Sequence, residues 1–126
     1  MAIKYKLITR KNPTQPTEAP KHYASIVRPQ NVTIEQLAKR VAEVSPVNEL
    51  DTETTLIALS KVIPEFLANG ATVELGKLGR LQVNLSSQGS ESEKDFNKEM
   101  IKACKLRFKP SVALSKALKG IKYEKE

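Results

Sequence analysis

Three cations alternate along one short stretch of the 126-residue chain and are its clearest candidates for binding chemistry. Lys105, Arg107 and Lys109 are separated by apolar residues, and this period of two predicts a β-strand with one basic and one apolar face. Side chains two residues apart on a strand lie about 6.5–7 Å from one another on the same face. Such a row attracts polyanions; the alternative is an ordinary solvated face of an antiparallel sheet.

The formal net charge of +7 is concentrated at the two ends of the chain. Residues 1–31 and 105–126 each carry +5, residues 32–90 carry −2 and residues 91–104 carry −1. The residues that we predict to bind nucleic acid are Arg80, Lys105, Arg107, Lys109, Lys116 and Lys119. The last two are equally explained by a helix end, where the dipole favours cations. Charge alone predicts a second basic surface from Lys4, Lys6, Arg10, Lys11, Lys21 and Arg28.

No combination of residues offers acid–base, nucleophilic or metal chemistry, so we expect no enzymatic activity and no cofactor. His22 is the only histidine and Cys104 the only cysteine, which leaves neither a catalytic triad nor a metal cluster. The segment Gly76-Lys-Leu-Gly79 is too short for a phosphate-cradling loop. A lone cysteine fits a reducing compartment, and no apolar run approaches the ~20 residues of a membrane span, which predicts a cytoplasmic protein.

A predicted β-hairpin over residues 72–85 would position the cationic row. Apolar residues alternate with polar ones on both sides of a glycine-bounded turn, and a helix ends just before it at Asn69-Gly70. If the hairpin pairs with the basic strand, Arg80 extends the row of cations. Gln82 and Asn84 would then be its polar neighbours.

Two amphipathic helices precede the hairpin and can cover its apolar face. Thr33-Ile-Glu-Gln36 is a capping box for the first helix. The second is expected to run from a cap at Asp51 or Thr52 to Leu67. Pro64 within it predicts a kink or a break into two helices, because proline lacks the N–H that the helix needs.

The flanking segments are simpler. Strand patterns near residues 3–8 and 22–27 are joined by a proline-rich connector, and they either pair with each other or add to a sheet edge. After the hairpin come a polar connector, a short helix near 95–101 and, beyond the basic strand, a final short helix and a charged tail. Residues expected to be buried include Phe66, Phe96, Phe108 and Cys104.

Three short sequence segments, in this order along the chain, resemble the HU/integration-host-factor family of bacterial histone-like DNA-binding proteins. They are Asn69-Gly70, Gly76-Lys-Leu-Gly-Arg-Leu81 and, most specific, Arg107-Phe-Lys-Pro-Ser-Val-Ala-Leu114, within a match from about Val32 to Gly120. Prolines ahead of the core, together with Tyr23 and the spacing of Phe96, Ile101 and Phe108, resemble an HU-related branch with N-terminal extensions found in Bacteroidetes-type bacteria.

The resemblance implies an α+β, HU-like fold: two N-terminal helices, a three-stranded antiparallel β-sheet, a short C-terminal helix and an N-terminal β extension, in an intertwined homodimer. Residues 1–31 would be the basic extension and residues 32–126 the HU-like core, with residues 86–104 as a modified arm. Family arms carry Arg/Lys and an intercalating proline that bends DNA. Residues 86–104 contain neither Arg nor Pro, so kinking by proline insertion is not expected.

The implied function is non-enzymatic, largely sequence-independent binding of double-stranded DNA by a nucleoid-associated cytoplasmic homodimer. Phosphates would lie on the basic saddle of the sheet, with no small-molecule substrate and no membrane partner. The alternative is an HU-like fold used as a protein-interaction or assembly module with weak or no DNA binding. The acidic arm favours that alternative, and the basic ends of the chain disfavour it.

Overall fold

The computed structural model describes residues 2–126 as a mixed α+β protein with three α-helices and two small sheets, as predicted for the fold class. The chain forms two compact units: a central unit, Ile34–Ala117, and a terminal unit that joins the residues before Ile34 to Leu118–Glu126. In chain order the elements are β1 (Ala2–Arg10), β2 (Lys21–Ile26), α1 (Ile34–Val44), α2 (Glu49–Leu67), β3 (Val73–Glu74), β4 (Gly79–Ser87), a 3₁₀ turn (Lys98–Met100), β5 (Ile101–Pro110), α3 (Val112–Ala117) and β6 (Lys122–Lys125).

The second helix begins earlier than predicted, because Asn48 rather than Asp51 or Thr52 is its cap. The Asn48 backbone is extended, and its side-chain oxygen accepts the N–H of Asp51 at 2.8 Å. An Asn at this position satisfies one of the free N–H groups of the first turn. The predicted capping residues therefore lie inside the helix.

Helix α2 continues through Pro64 without dividing into two helices, so the predicted break is wrong. Proline removes one N–H from the helix, but its own carbonyl still accepts the N–H of Ala68 at 2.9 Å. The predicted stop after the helix is present: Gly70 has φ of 81°, which a residue with a Cβ adopts only with strain.

The sheet of the central unit has the order β3-β4-β5 with both pairs antiparallel. The β3–β4 turn is closed by the N–H of Leu75, which donates to the carbonyl of Gly79 at 2.8 Å. Gly79 is buried with φ of 144°, and a Cβ there would collide with the Lys109 carbonyl on β5. Only glycine therefore allows β4 and β5 to approach at this point.

Ser111 connects the end of β5 to the β3–β4 turn. Its hydroxyl donates to the carbonyl of Lys77, and its N–H donates to the carbonyl of Leu78 at 3.2 Å. The same side-chain oxygen accepts the N–H of Leu114 at 3.0 Å, so Ser111 also starts α3. One serine thus fixes the strand end, the turn and the short helix together.

The ends of the predicted arm, residues 86–104, belong to the paired strands β4 and β5, and residues 88–100 connect the two strands. The strands pair as far as Ser87 and Ile101, with an irregularity between Ser86 and Ser87. The N–H of Gln88 donates to the carbonyl of Met100 at 2.9 Å, which ties the base of the connection. The short helix expected near residues 95–101 is a single 3₁₀ turn.

In the terminal unit, β1 is the middle strand of a sheet with the order β2-β1-β6. The two strands predicted before the core pair antiparallel with each other, and Arg10 lies opposite Lys21 at the end of the ladder. The charged tail was not predicted to be a strand, but it pairs with β1 in parallel, with Tyr5 opposite Lys125. The N–H of Glu126 extends this pairing to the carbonyl of Tyr5 at 2.9 Å.

The apolar residues of one chain are poorly covered. Ala38 is the only hydrophobic residue of the described part of the chain that is buried. Phe66 and Phe108 are 54% and 51% exposed, so the prediction that they are buried is wrong for a single chain. Phe96 and Cys104 are exposed as well. Over residues 2–126, no helix combines the length and apolarity required to cross a membrane.

Candidate nucleic-acid interface

The pairing of β4 with β5 brings the predicted cations of the sheet to one face. Because directly opposite residues point to the same side, Arg80 shares this side with Lys109, Gln82 with Arg107, and Asn84 with Lys105. We call these four cations and two amides the cationic face. The strand alternation and the expected pairing with the hairpin anticipated this placement.

The other side of the same sheet is apolar. Leu81 lies opposite Phe108 and Val83 lies opposite Leu106. Leu106 is 60% exposed, so this side is largely uncovered within one chain. The sheet therefore separates a hydrophobic surface from a charged one, and the two are fixed relative to each other by the period of two along β5.

The cations of the cationic face have no carboxylate partner within 4 Å. Across residues 2–126, the one ion pair at that distance joins Arg40 and Glu43 on α1. Arg80 and Lys109 are exposed and directly opposite each other, an arrangement of like charges that destabilises a sheet. A bound anion would offset that repulsion.

One acidic residue, Glu74, lies at the edge of the cationic face. It pairs with Arg80 across β3 and β4, although the two side chains do not form an ion pair within 4 Å. A cavity of about 320 Å³ opens here, and Lys109 and Ser111 are among the residues that line it. The alternation of Val73 and Leu75 with Thr72 and Glu74 predicts this placement, because it puts Glu74 on the side of the hairpin opposite its apolar face.

The remaining predicted residues of the central set lie elsewhere. Lys116 is in the last turn of α3, where a cation is favoured by the helix dipole whether or not a ligand binds. Lys119 follows α3 and belongs to the terminal unit. The structure therefore brings four of the six predicted residues together on one sheet.

The terminal unit has a basic face of its own. Lys4, Lys6 and Arg10 alternate along β1 and share one side of the sheet with Lys21, which lies opposite Arg10. On β6, Lys122 lies opposite Ala2 and adds a cation to this side, and Glu124 lies opposite Lys4 and adds a carboxylate. The sequence reasoning missed both because it did not predict the strand. Of the other predicted residues, Lys11 follows β1 and Arg28 follows β2.

The described residues contain no group of three or more histidine, cysteine or acidic side chains placed to hold a metal ion. The cationic face and the basic face of the terminal unit present ammonium, guanidinium, amide and hydroxyl donors. Such groups bind anionic oxygens by hydrogen bonds and charge.

Comparison with known proteins relates the whole chain to one family. A family model described as HU-HIG, an HU domain fused to wHTH, Ig or glycine-rich motif, matches residues 1–125. A crystal structure from Bacteroides vulgatus ATCC 8482, of a protein named as a candidate bacterial DNA-binding protein, is similar with a TM-score of 0.66 and 16% identity. The similarity covers 98% of this chain and 48% of that one, so the chain spans about half the length of that structure. No curated protein matches the chain.

Proposed function

The chain belongs to the HU-HIG family of HU domains, and on that premise we propose that it binds double-stranded DNA without enzymatic activity and with little sequence preference. We further propose that it acts as a nucleoid-associated protein in the bacterial cytoplasm. The cationic face is the observation that carries this proposal. Its ligands would be backbone phosphates, which carry no sequence information.

Binding at the cationic face would be driven by charge neutralisation. Lys105, Arg107 and Lys109 are spaced along one strand, and Arg80 stands beside the last of them. Each cation that contacts a phosphate releases condensed counterions from the DNA, so affinity should fall steeply as salt rises. Gln82 and Asn84 can donate hydrogen bonds to phosphate or sugar oxygens between the cations.

The uncovered apolar surface supports a homodimer, which we propose is intertwined as the family resemblance implies. The chain exposes 11080 Å². A compact protein of 14.0 kDa would expose about 6,700 Å². Two separate compact proteins, one the size of the terminal unit and one the size of the central unit, would together expose about 8,000 Å². The surplus of about 3,000 Å² per chain, or about 6,000 Å² for two chains, is at the upper end of what obligate dimers bury. A symmetric partner would cover the apolar side of the sheet and leave the cationic face open.

The connection over residues 88–100 is not proposed to bend DNA by insertion. It contains no proline, and Glu91, Glu93, Asp95 and Glu99 outnumber its two lysines. The same acidic segment favours a second candidate function, in which the fold serves as an assembly module for a protein partner. That candidate predicts that the purified protein retains a protein partner after nuclease treatment and does not bind duplex DNA at low salt.

The proposal is tested by fluorescence anisotropy with a short duplex of mixed sequence at about 50 and 200 mM salt, a range over which phosphate-driven binding weakens strongly. We expect binding at the lower concentration, and its loss in Arg107→Glu/Lys109→Glu. The control Lys39→Glu/Lys61→Glu makes the same charge change on α1 and α2, outside both sheets. Equal loss in both variants would assign binding to net charge and contradict a role for the cationic face.

A further inference from the structure

We propose that the loop end of the β1–β2 ribbon is a second site for a backbone phosphate of DNA, formed by Arg10, Lys11 and Lys21 beside Tyr23. This inference rests on the proposed function, because it adds a contact to the same ligand. It assigns a defined pocket to a part of the basic face in the terminal unit, whereas charge alone would spread binding evenly over that face.

A cavity of about 330 Å³ lies at this end of the ribbon, and all three cations line it. Tyr23 forms part of the same wall, and Glu18 is the one carboxylate in the lining. Three cations against one carboxylate leave the lining with an excess of positive charge. The volume is ample for a phosphate group together with the water that remains on it.

The last rung of the ladder places two of these cations directly opposite each other. Arg10 pairs with Lys21, and neither has a carboxylate within 4 Å among the described residues. Like charges directly opposite destabilise a strand pair, so this rung has a cost in the free protein. A phosphate between the two side chains would accept hydrogen bonds from both and offset the repulsion.

Tyr23 favours one position of the Arg10 guanidinium, which a set of scattered lysines would lack. The guanidinium carbon of Arg10 lies over the Tyr23 ring, 6.0 Å from its centroid, at the outer limit of a cation–π contact. This contact favours a guanidinium position beside the cavity that both residues line. The planar donors of Arg10 are thus positioned before a ligand arrives, which lowers the entropy lost on binding.

The loop that closes the cavity is held by its own hydrogen bonds. The Asn12 side chain accepts the N–H and the hydroxyl of Thr14 at 3.0 and 2.7 Å. Two successive turns follow, with the N–H of Gln15 donating to Asn12 and the N–H of Glu18 donating to Gln15, each at 3.1 Å. Three prolines within residues 13–20 restrict the backbone further. The wall is therefore formed in advance.

Glu18 forms no ion pair within 4 Å with the cations of the pocket. The Gln15 side-chain amide is oriented with its nitrogen toward the Glu18 carboxylate. In this orientation the nitrogen donates a hydrogen bond to Oε2 of Glu18 at 2.9 Å. The carboxylate is thus engaged by a neutral donor. Its charge still opposes an incoming phosphate, so we expect Glu18→Gln to strengthen binding.

The test compares full-length variants by anisotropy with the same short duplex over a salt series. Arg10→Glu/Lys21→Glu should weaken binding about tenfold at low salt and reduce the salt slope by about 1 for each phosphate that is no longer neutralised. Tyr23→Leu, which changes no charge, should weaken binding about two- to fivefold by releasing Arg10, whereas Tyr23→Phe should retain affinity. The charge-matched control is again Lys39→Glu/Lys61→Glu.

The outcomes separate the pocket from the cationic face. If Arg10→Glu/Lys21→Glu behaves like the control while Arg107→Glu/Lys109→Glu loses binding, the pocket proposal is overturned and the proposed function stands. If Tyr23→Leu binds as tightly as the wild type, the cations act only as diffuse charge, and the pocket is again overturned. If the wild type does not bind duplex DNA at low salt, the proposed function fails and the pocket proposal fails with it.

Discussion

Arg80 on β4 and Lys109 on β5 lie directly opposite each other, in a row that Glu74 on β3 completes without forming an ion pair with Arg80 within 4 Å. Like charges at opposed positions destabilise a sheet by an amount comparable to the gain from an opposite-charge pair. A bound anionic ligand would offset this repulsion, so the pair of cations is consistent with a sheet that binds an anion.

Exchanging Lys109 for glutamate should therefore stabilise the protein while it weakens DNA binding. Lys109→Glu places opposite charges on the rung with Arg80 and should raise the free energy of unfolding by about 0.2–1 kcal/mol. The control Lys105→Glu lies opposite Asn84 and lacks that gain, although it should also weaken DNA binding. Urea denaturation and anisotropy measure the two effects. A destabilised Lys109→Glu protein would contradict the repulsion that we infer.

Ser111 should matter for stability because it serves three partners. Ser111→Ala removes the hydroxyl that donates to Lys77 and the oxygen that caps α3 at Leu114. We expect a loss of about 1–2 kcal/mol in the free energy of unfolding, measured by urea denaturation. Ser115→Ala, within α3, makes the same chemical change and should have an effect of less than about 0.5 kcal/mol. An equal loss of unfolding free energy in the two variants would show that the Ser111 side-chain hydrogen bonds do not stabilise the protein.

Gly79 should not tolerate even the smallest side chain. In Gly79→Ala the new methyl group would meet the Lys109 carbonyl and the Phe108 ring, and φ of 144° is unfavourable for alanine. The expected loss is about 2 kcal/mol or more, because close contact and backbone strain add. Gly89→Ala is the matched control, since nothing lies within 4 Å of a Cβ there. Thermal unfolding followed by circular dichroism compares the two, and similar midpoints would refute the close approach.

If the chain forms the proposed homodimer, its mass in solution should be twice 14.0 kDa at micromolar concentration, as measured by sedimentation equilibrium. Leu106→Asp should shift the protein toward monomer, because it puts a charge on the apolar side of the central sheet, where a partner would bury it. Leu118→Asp is the control: it is 62% exposed, against 60% for Leu106, but lies outside the central unit. A folded wild-type monomer at this concentration would refute the dimer.

Neutralising the acidic connection should strengthen DNA binding if that segment approaches the duplex. Glu91→Gln/Glu93→Gln/Asp95→Asn removes three negative charges near the end of the β4–β5 hairpin. Affinity should rise severalfold at low salt and converge with the wild type at high salt, because repulsion is screened beyond about 10 Å at 0.1 M. Glu35→Gln/Glu65→Gln on the helices is the control. An unchanged affinity at low salt would place the segment away from the DNA.

The parts of the fold that depend on local patterns could be predicted from the sequence. The period of two in β4 and β5 predicted which side of each strand is apolar, and that parity alone determines that Arg80 joins Lys109 on one face. The end of the helix at Gly70 could also be predicted, because glycine adopts a positive φ without the strain that a Cβ would cause. These features need no knowledge of distant parts of the chain.

The features that were missed depend on distant parts of the chain or, for the exposed apolar residues, on the partner that we propose. Strand β6 is four residues long and mostly charged, and it forms because β1 offers a free edge more than a hundred residues away. Asn48 was overlooked as a cap because Asp51 and Thr52 have equally good side chains. The exposure of Phe66 and Cys104 in one chain follows from hydrophobic faces that local sequence cannot assign to a partner.

DNA binding by this protein is proposed to depend above all on neutralisation of backbone phosphates at the cationic face. The decisive measurement is the slope of log association constant against log salt for the wild type and for Arg107→Ala/Lys109→Ala, with Lys39→Ala/Lys61→Ala as the control. We predict a steep negative slope that becomes shallower by about 0.9 for each phosphate that the first variant no longer neutralises and is unchanged in the control. A wild-type slope near zero, or an identical slope in all three proteins, would contradict this role of the cationic face.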